Sequence, residues 1–193
     1  MKTKKIILEG TVESLFCIKD DQVINADKLT VMWDGIINDK HTSRTSIART
    51  QDSSENNVPK GTEILNLRQI SIISKEEQEK VALKLGIAKI NYEHLRPNIV
   101  ISGIPNLTNL PAGTRIQFPE FTLLYVTGEN YPCIVSGTRV EQSNKEIGNL
   151  KFKYPKEAMH LRGILAIVLR PGFIRKGDNF KVTIPPQYIY ESN

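Results

Sequence analysis

Apolar residues alternate with polar ones through much of the chain. From Lys5 to Ile18, Ile6, Leu8, Val12 and Phe16 fall at even positions, which predicts one or two strands with Gly10 at a bulge. A short apolar run from Leu29 to Trp33 is closed by the turn-forming pair Asp34-Gly35. Further strands are predicted at Leu65 to Ile73, Asn98 to Ser102, Thr114 to Phe118, Phe121 to Thr127, Gly163 to Arg170 and Asn179 to Ile184.

The period changes from two to 3.6 after Ile73. Ser74 is an N-cap residue type, Glu77 completes a capping box, and Val81, Ala82 and Leu85 form an apolar stripe. With Gly86 at the left-handed terminating position, the pattern predicts a helix over 75–85. A shorter helical turn is predicted around Tyr92 to Leu95, stopped by Pro97. Ile134 to Gln142 can supply another short helix. Many short strands with a few helices predict a mainly β (α+β) fold, built on a closed or partly closed sheet.

Between Asn38 and Pro59 the pattern lapses. Thr42 to Ser46 and Gln51 to Asn57 offer almost nothing to bury, so 42–60 is expected to be a long loop: a lid, a partner-binding segment, or an element without function. Pro185-Pro186 begins a C-terminal tail over 185–193. No internal repeat is evident, and the 193 residues are read as one domain, 1–193, large enough to bury roughly 70% of its unfolded surface.

Composition narrows the setting. A hydrophobic content of 39% and a charged content of 24% are ordinary for a globular chain. The basic start ends in an apolar run of three residues, Ile6 to Leu8, too short for a secretion signal, and no stretch approaches the roughly 20 apolar residues that span a bilayer. A cytoplasmic protein without a membrane partner is expected. The net charge of +5 suits an anionic ligand. Because the cationic residues are scattered along the sequence and aromatics reach only 7%, nucleic acid is not the expected partner.

Two cysteines are too few for a disulfide framework, and reduced thiols are expected. Cys17, in Leu15-Phe16-Cys17-Ile18, reads as a packed strand residue. Cys133 leaves a strand through Thr127 to Pro132 and precedes the possible helix at Ile134. An ordinary thiol is only about 3% ionised at pH 7, and the amides of a helix N-terminus raise that fraction. Cys133 is therefore either a nucleophile or soft-metal ligand, or a small buried hydrophobe. His41, His94 and His160 show no zinc spacing, but Asp39 can orient the His41 imidazole. Phosphate-loop, dinucleotide and serine-hydrolase strings do not occur, and Ser136-Gly137 lacks the nucleophile-elbow pattern.

Three blocks, Arg68-Gln69-Ile70-Ser71-Ile72-Ile73-Ser74, Leu85-Gly86-Ile87 and Leu95-Arg96-Pro97-Asn98-Ile99, resemble successive motifs of the MOSC domain family. The likeness continues through Thr127 and Pro132-Cys133, then Arg162-Gly163-Ile164-Leu165-Ala166 and Gly172 to Asp178, and covers roughly 64–184. It implies a MOSC-type β-barrel like the C-terminal domain of molybdenum-cofactor sulfurases and the stand-alone bacterial members. Cys133 falls at the family's cysteine, which carries sulfur as a persulfide or, in the amidoxime-reducing branch, ligates molybdenum. Arg68, Arg96, Asn98, His41 and Thr127 match the family's polar positions. They imply cofactor-binding donors, while Arg68, Arg96 and Asn98 equally suit pairing with carboxylates at the barrel rim. Asn38-Asp39-Lys40-His41-Thr42-Ser43 lacks both glycines of the family's Gly-Asp-x-His-x-Gly pattern.

The resemblance implies a molybdenum cofactor (molybdopterin) bound through Cys133, with reduction of N-hydroxylated compounds as one activity. A separate electron-transfer protein would then be needed, because no flavin, haem or iron–sulfur segment is recognisable. The alternative is a sulfur carrier or sulfurtransferase, loaded by a pyridoxal-phosphate-dependent cysteine desulfurase and holding no cofactor. A non-catalytic binding module is a third reading.

Overall fold

The computed structural model describes residues 2–50 and 58–188. Strand β1 (Ile6–Lys19) is the spine of the molecule, 14 residues long, and pairs with three partners along its length. Its first half lies antiparallel to β13 (Asn179–Ile184), its middle to β8 (Ile99–Ser102) and its end to β2 (Gln22–Ala26). The pairing β13–β1 joins the two edges of the order β13-β9-β10-β11-β7-β8-β1, closing a seven-stranded barrel with β2 as an outside flap. The remaining staves are β7 (Ile70–Ser74), β9 (Arg115–Gln117), β10 (Leu123–Glu129) and β11 (Ile164–Arg170). Only β7 and β8 run parallel, and the crossover between them carries helices α1 (Lys75–Leu85) and α2 (Tyr92–Leu95).

Alternation along the staves sorts the apolar residues into two cores. Ile70 and Ile72, Ile99 and Ile101, Leu124 and Val126, and Phe180 and Val182 point into the barrel. Residues of opposite parity, Ile73 and Val100, face outward with Phe16 and pack against α1, α3 (Ile134–Gln142) and α4 (Leu150–Glu157). A smaller sheet of β12 (Gly172–Arg175), β3 (Lys28–Met32) and β4 (Gly35–Ile36) adds Leu29, Val31, Ile36 and Ile174 to the barrel core.

Several sequence expectations are modified. The bulge in β1 lies between Val12 and Ser14, not at Gly10. Gly10 is instead a close-packing position, where a Cβ would stand 2.6 Å from both Phe180 Cζ and Ser102 O. Helix α1 has the expected bounds, with Ser74 accepting from the Glu77 N–H and Gly86 left-handed at φ 70°. The reciprocal arm of the capping box does not form. The buried Glu77 carboxylate accepts from the N–H and hydroxyl of Thr108, while Ser74 donates to Glu76.

The 42–60 segment is not wholly irregular: β5 (Thr45–Ile47) pairs with β6 (Glu63–Leu65) as a two-stranded ribbon. Residues 51–57 of that expected loop, and 189–193 of the expected tail, lie outside the described residues. The start of the tail is tethered, with Thr3 N–H donating to Gln187 O. Helix α4 was not anticipated because Pro155 sits inside it; buried Leu150 and Tyr154, one helical turn apart, hold it to the barrel wall. Among the described residues, no helix is long and apolar enough to cross a membrane.

Candidate functional site

Against the outer side of the barrel wall at Ser71 and Leu165 lies a cleft of about 290 Å³ whose walls come from distant parts of the chain. The 37–42 turn contributes Lys40 and His41, the strand entry before β7 contributes Arg68, and the α2–β8 connection contributes Arg96 and Asn98. Ser136 and Arg139 come from α3, and Arg162 from the turn into β11. With Arg49, six cationic side chains line the cleft, and among the described lining residues there is no carboxylate. Charges scattered along the sequence are thus gathered in space.

Cys133 is placed by three local features. The Asn130 N–H donates to Gly163 O at 2.9 Å, fixing the strand exit from β10. Cys133 is then the extended N-cap residue of α3 (φ −140°, ψ 165°). Helix α3 is held against α4 at Gly137, where a Cβ would lie 2.4 Å from Lys151 O. The residue is exposed, and its Sγ lies 3.6 Å from Ser136 Oγ. Partial burial pushes the thiol pKa up, but the Ser136 N–H and hydroxyl, the Val135 N–H and the Arg162 charge outweigh it. The net direction is downward. These surroundings favour the thiolate relative to an ordinary cysteine.

Arg162 is 5% exposed. Its Nη2 donates to Leu95 O at 2.5 Å, while Nε and Nη1 are buried without a hydrogen-bond partner among the described residues. The hydroxyl of Tyr154 on α4 is likewise buried and unpartnered, and burial raises its pKa to about 12. Arg162 lies in a quoted MOSC block, but only the fold reveals that its guanidinium is buried at the cleft. Arg139, Lys40, Arg49, Ser136 and Tyr154 were also not anticipated as site residues. Ser136 follows Cys133 by three residues, the spacing from a helix N-cap to its first turn, which is a signal the sequence carried; the others lie in unremarkable local contexts with no spacing to Cys133.

The polar residues expected at the site divide by what they touch. Arg68, Arg96, Asn98 and His41 all line the cleft. Arg96, left-handed at φ 51° before Pro97, is held by Asp21, with Nη1 donating to Oδ1 at 3.0 Å and Nη2 to the carbonyl at 2.6 Å. Lys40 shares that carboxylate at 2.9 Å. The His41 ring does meet Asp39, Nδ1 to Oδ1 at 2.9 Å. Asn98 is 1% exposed and its amide is spent internally. It accepts from the Ser71 N–H and hydroxyl and donates to Asp39 Oδ2 and Phe16 O. It therefore supports the wall rather than offering donors to a ligand. Thr127 is not among the lining residues. Its hydroxyl donates to Leu67 O at 2.7 Å, tying β10 to the segment that carries Arg68. Cys17 packs against the barrel core, and burial pushes its thiol pKa up.

Known proteins place this architecture. The YuaD protein of Bacillus subtilis (strain 168), named "Putative metal-sulfur cluster biosynthesis proteins YuaD", is 40% identical over 156 residues, spanning 81% of this chain and 80% of that one. The crystal structure of the Bacillus subtilis YuaD protein superposes with a TM-score of 0.89 at 35% identity, covering 94% of this chain and 99% of that one. YiiM from Escherichia coli, 14% identical, shares the fold at a TM-score of 0.53, covering 91% of this chain and 69% of that one. The family model of the MOSC domain matches residues 60–181, and the chain belongs to the MOSC domain family.

Proposed function

We propose that this protein is a sulfur carrier in which Cys133 accepts a sulfur atom as a persulfide and presents it over the cationic cleft. The observation that supports this reading is the placement of an exposed thiol at the N-cap of α3, with amides and Arg162 favouring its anionic form. The same donors favour the terminal anion of a persulfide. The name of the YuaD relative, which refers to metal-sulfur cluster biosynthesis, points in the same direction.

In loading by a pyridoxal-phosphate-dependent cysteine desulfurase, the Cys133 thiolate attacks the outer sulfur of the partner's persulfide. The new S–S bond forms as the old one breaks, and the partner's cysteine leaves as a thiolate. No external oxidant enters. Tyr131, Ile134 and Val135 are exposed around the thiol and give such a partner an apolar collar to rest on. The test is mass spectrometry after incubation with a desulfurase and cysteine. One added sulfur on Cys133, absent in Cys133→Ser, is expected; an unmodified thiol while the desulfurase turns over would sink the reading.

A second reading is favoured by the cationic lining. Molybdopterin carries a phosphate, and two buried, unpartnered guanidinium nitrogens fit that anion, while a thiolate fits molybdenum. Cys133 would hold the metal, Arg162, Arg139 and Arg68 would face the phosphate, and His41 would line the same cleft. When bound, the cofactor would supply two-electron redox chemistry, including reduction of N-hydroxylated compounds with electrons from a separate protein. Molybdenum and pterin that co-purify from a cofactor-competent host with the wild type, but not with Cys133→Ser, are the expected result of this reading. Negligible metal in both eliminates it.

A further inference from the structure

We propose that Arg162, which lines the cleft with Arg139, is the receptor for the sulfonate of a thiosulfate-type donor, one whose transferable sulfur is bonded to an SO3 group, and so makes Cys133 a direct acceptor from small molecules. This deepens the sulfur-carrier reading and rests on it.

Two buried side chains have hydrogen-bonding capacity unspent. Arg162 is 5% exposed and Tyr154 is fully buried, yet Arg162 Nε, Arg162 Nη1 and Tyr154 Oη have no partner among the described residues. Burying a guanidinium with two idle nitrogens costs free energy that an uncharged side chain would not incur. An anion that engages them recovers it. Arg162 and Ser136 line the same cleft, and the Ser136 hydroxyl is the group 3.6 Å from Cys133 Sγ. Tyr154 does not line the cleft; it lies in the core cluster under α3 and α4, which meet at the Gly137–Lys151 approach.

The cations near the thiol are not all neutralised. Asp21 is shared by Lys40 and Arg96, and Asp39 is spent on Ile18, His41 and Asn98. The Arg139 guanidinium, also in the cleft wall, has no hydrogen bond or ion pair among the described residues. A thiolate and a dianion repel each other, and Arg162 with Arg139 offsets that repulsion.

Transfer from a protein persulfide makes no use of an oxyanion receptor beside the thiol. Transfer from an S–SO3 donor does, because its leaving group is an oxyanion. The thiolate lone pair forms the new S–S bond to the sulfane sulfur, the S–SO3 electron pair departs on sulfite, and Cys133 is left as a persulfide anion. Charge is conserved, with three negative charges before and after, and no separate oxidant or reductant is consumed. Arg162 donates to the sulfonate oxygens of the bound donor and of the departing sulfite alike, so its contribution is mainly to binding.

The reduced protein is titrated with thiosulfate, following added sulfur on Cys133 by mass spectrometry and sulfite release in parallel. Equal amounts of each are expected. Arg162→Gln should raise the half-saturating thiosulfate concentration about tenfold or more, with a smaller change in the rate at saturation; Arg162→Lys should recover part of it. Arg139→Gln, at a half-exposed position where folding is not at stake, should raise it about threefold. In the wild type, inorganic phosphate should compete. Cys133 loaded by a desulfurase but not by thiosulfate overturns this inference and leaves the carrier reading standing, whereas loading by neither sinks both. Half-saturation unchanged in both Arg162→Gln and Arg139→Gln also overturns it.

Discussion

Asn98 donates from Nδ2 to Asp39 Oδ2 at 2.9 Å, and the same oxygen accepts from the Ile18 N–H at 2.7 Å. One carboxylate, 5% exposed, thereby joins the end of β1, the turn that carries Lys40 and His41, and the entry to β8. Burial pushes the Asp39 pKa up, but the His41 side chain and the Ile18 and His41 amides outweigh it and hold it below the ordinary carboxylate value. Because the folded-state pKa is the lower one, this contribution to stability is present above the unfolded pKa and is lost as pH falls through the folded value. Asp39→Asn should lower unfolding stability by about 2–4 kcal/mol at neutral pH, since its NH2 would face donors. It should also flatten the acid limb of a urea-denaturation pH series, and an unchanged acid limb would refute the assignment.

The reactivity of Cys133 should titrate below the range of an ordinary thiol. A lowered pKa means more thiolate at neutral pH, so removing a donor must slow alkylation there. Ser136→Ala should shift the pH midpoint of iodoacetamide alkylation upward and reduce the rate at pH 7 about two- to tenfold, the weight of one hydrogen bond. The rate at high pH, where the thiolate is fully formed in both proteins, should converge. A midpoint that does not move would remove Ser136 from the site.

The seating of α3 on α4 depends on an absent side chain. At Gly137 a Cβ would come within 2.4 Å of Lys151 O, whereas at Gly148 nothing lies within 4 Å. Gly137→Ala should cost about 1–3 kcal/mol and slow Cys133 alkylation, because the helix that frames the thiol must shift. Gly148→Ala should stay within about 0.5 kcal/mol of the wild type. Equal thermal stability of the two variants would contradict this packing.

The parts of the fold visible in the sequence were those with strong local grammar. The Ser74 cap, the Val81-Ala82-Leu85 stripe and Gly86 set the bounds of α1 without help from the rest of the chain. Pro155 concealed α4, because the burial of Leu150 and Tyr154 that holds it depends on a barrel wall built from other segments. At the site, Cys133 could be found from its position between a strand and a helix. Arg162 could not be singled out, since a buried, half-paired guanidinium is a property of the assembled cleft. Asn98 illustrates the converse: a polar residue in a family motif whose donors and acceptors are consumed in holding Asp39 and Ser71.

The β1–β13 seam, which pairs Ile6 with Ile184, has a consequence for how the protein is made. Until Ile184 leaves the ribosome, β1 and β9 are open edges. All of residues 6–184 must be synthesised before this ladder can zip, a high-contact-order step that is slow by nature. During that interval the half-built sheet can pair with itself or with neighbouring chains.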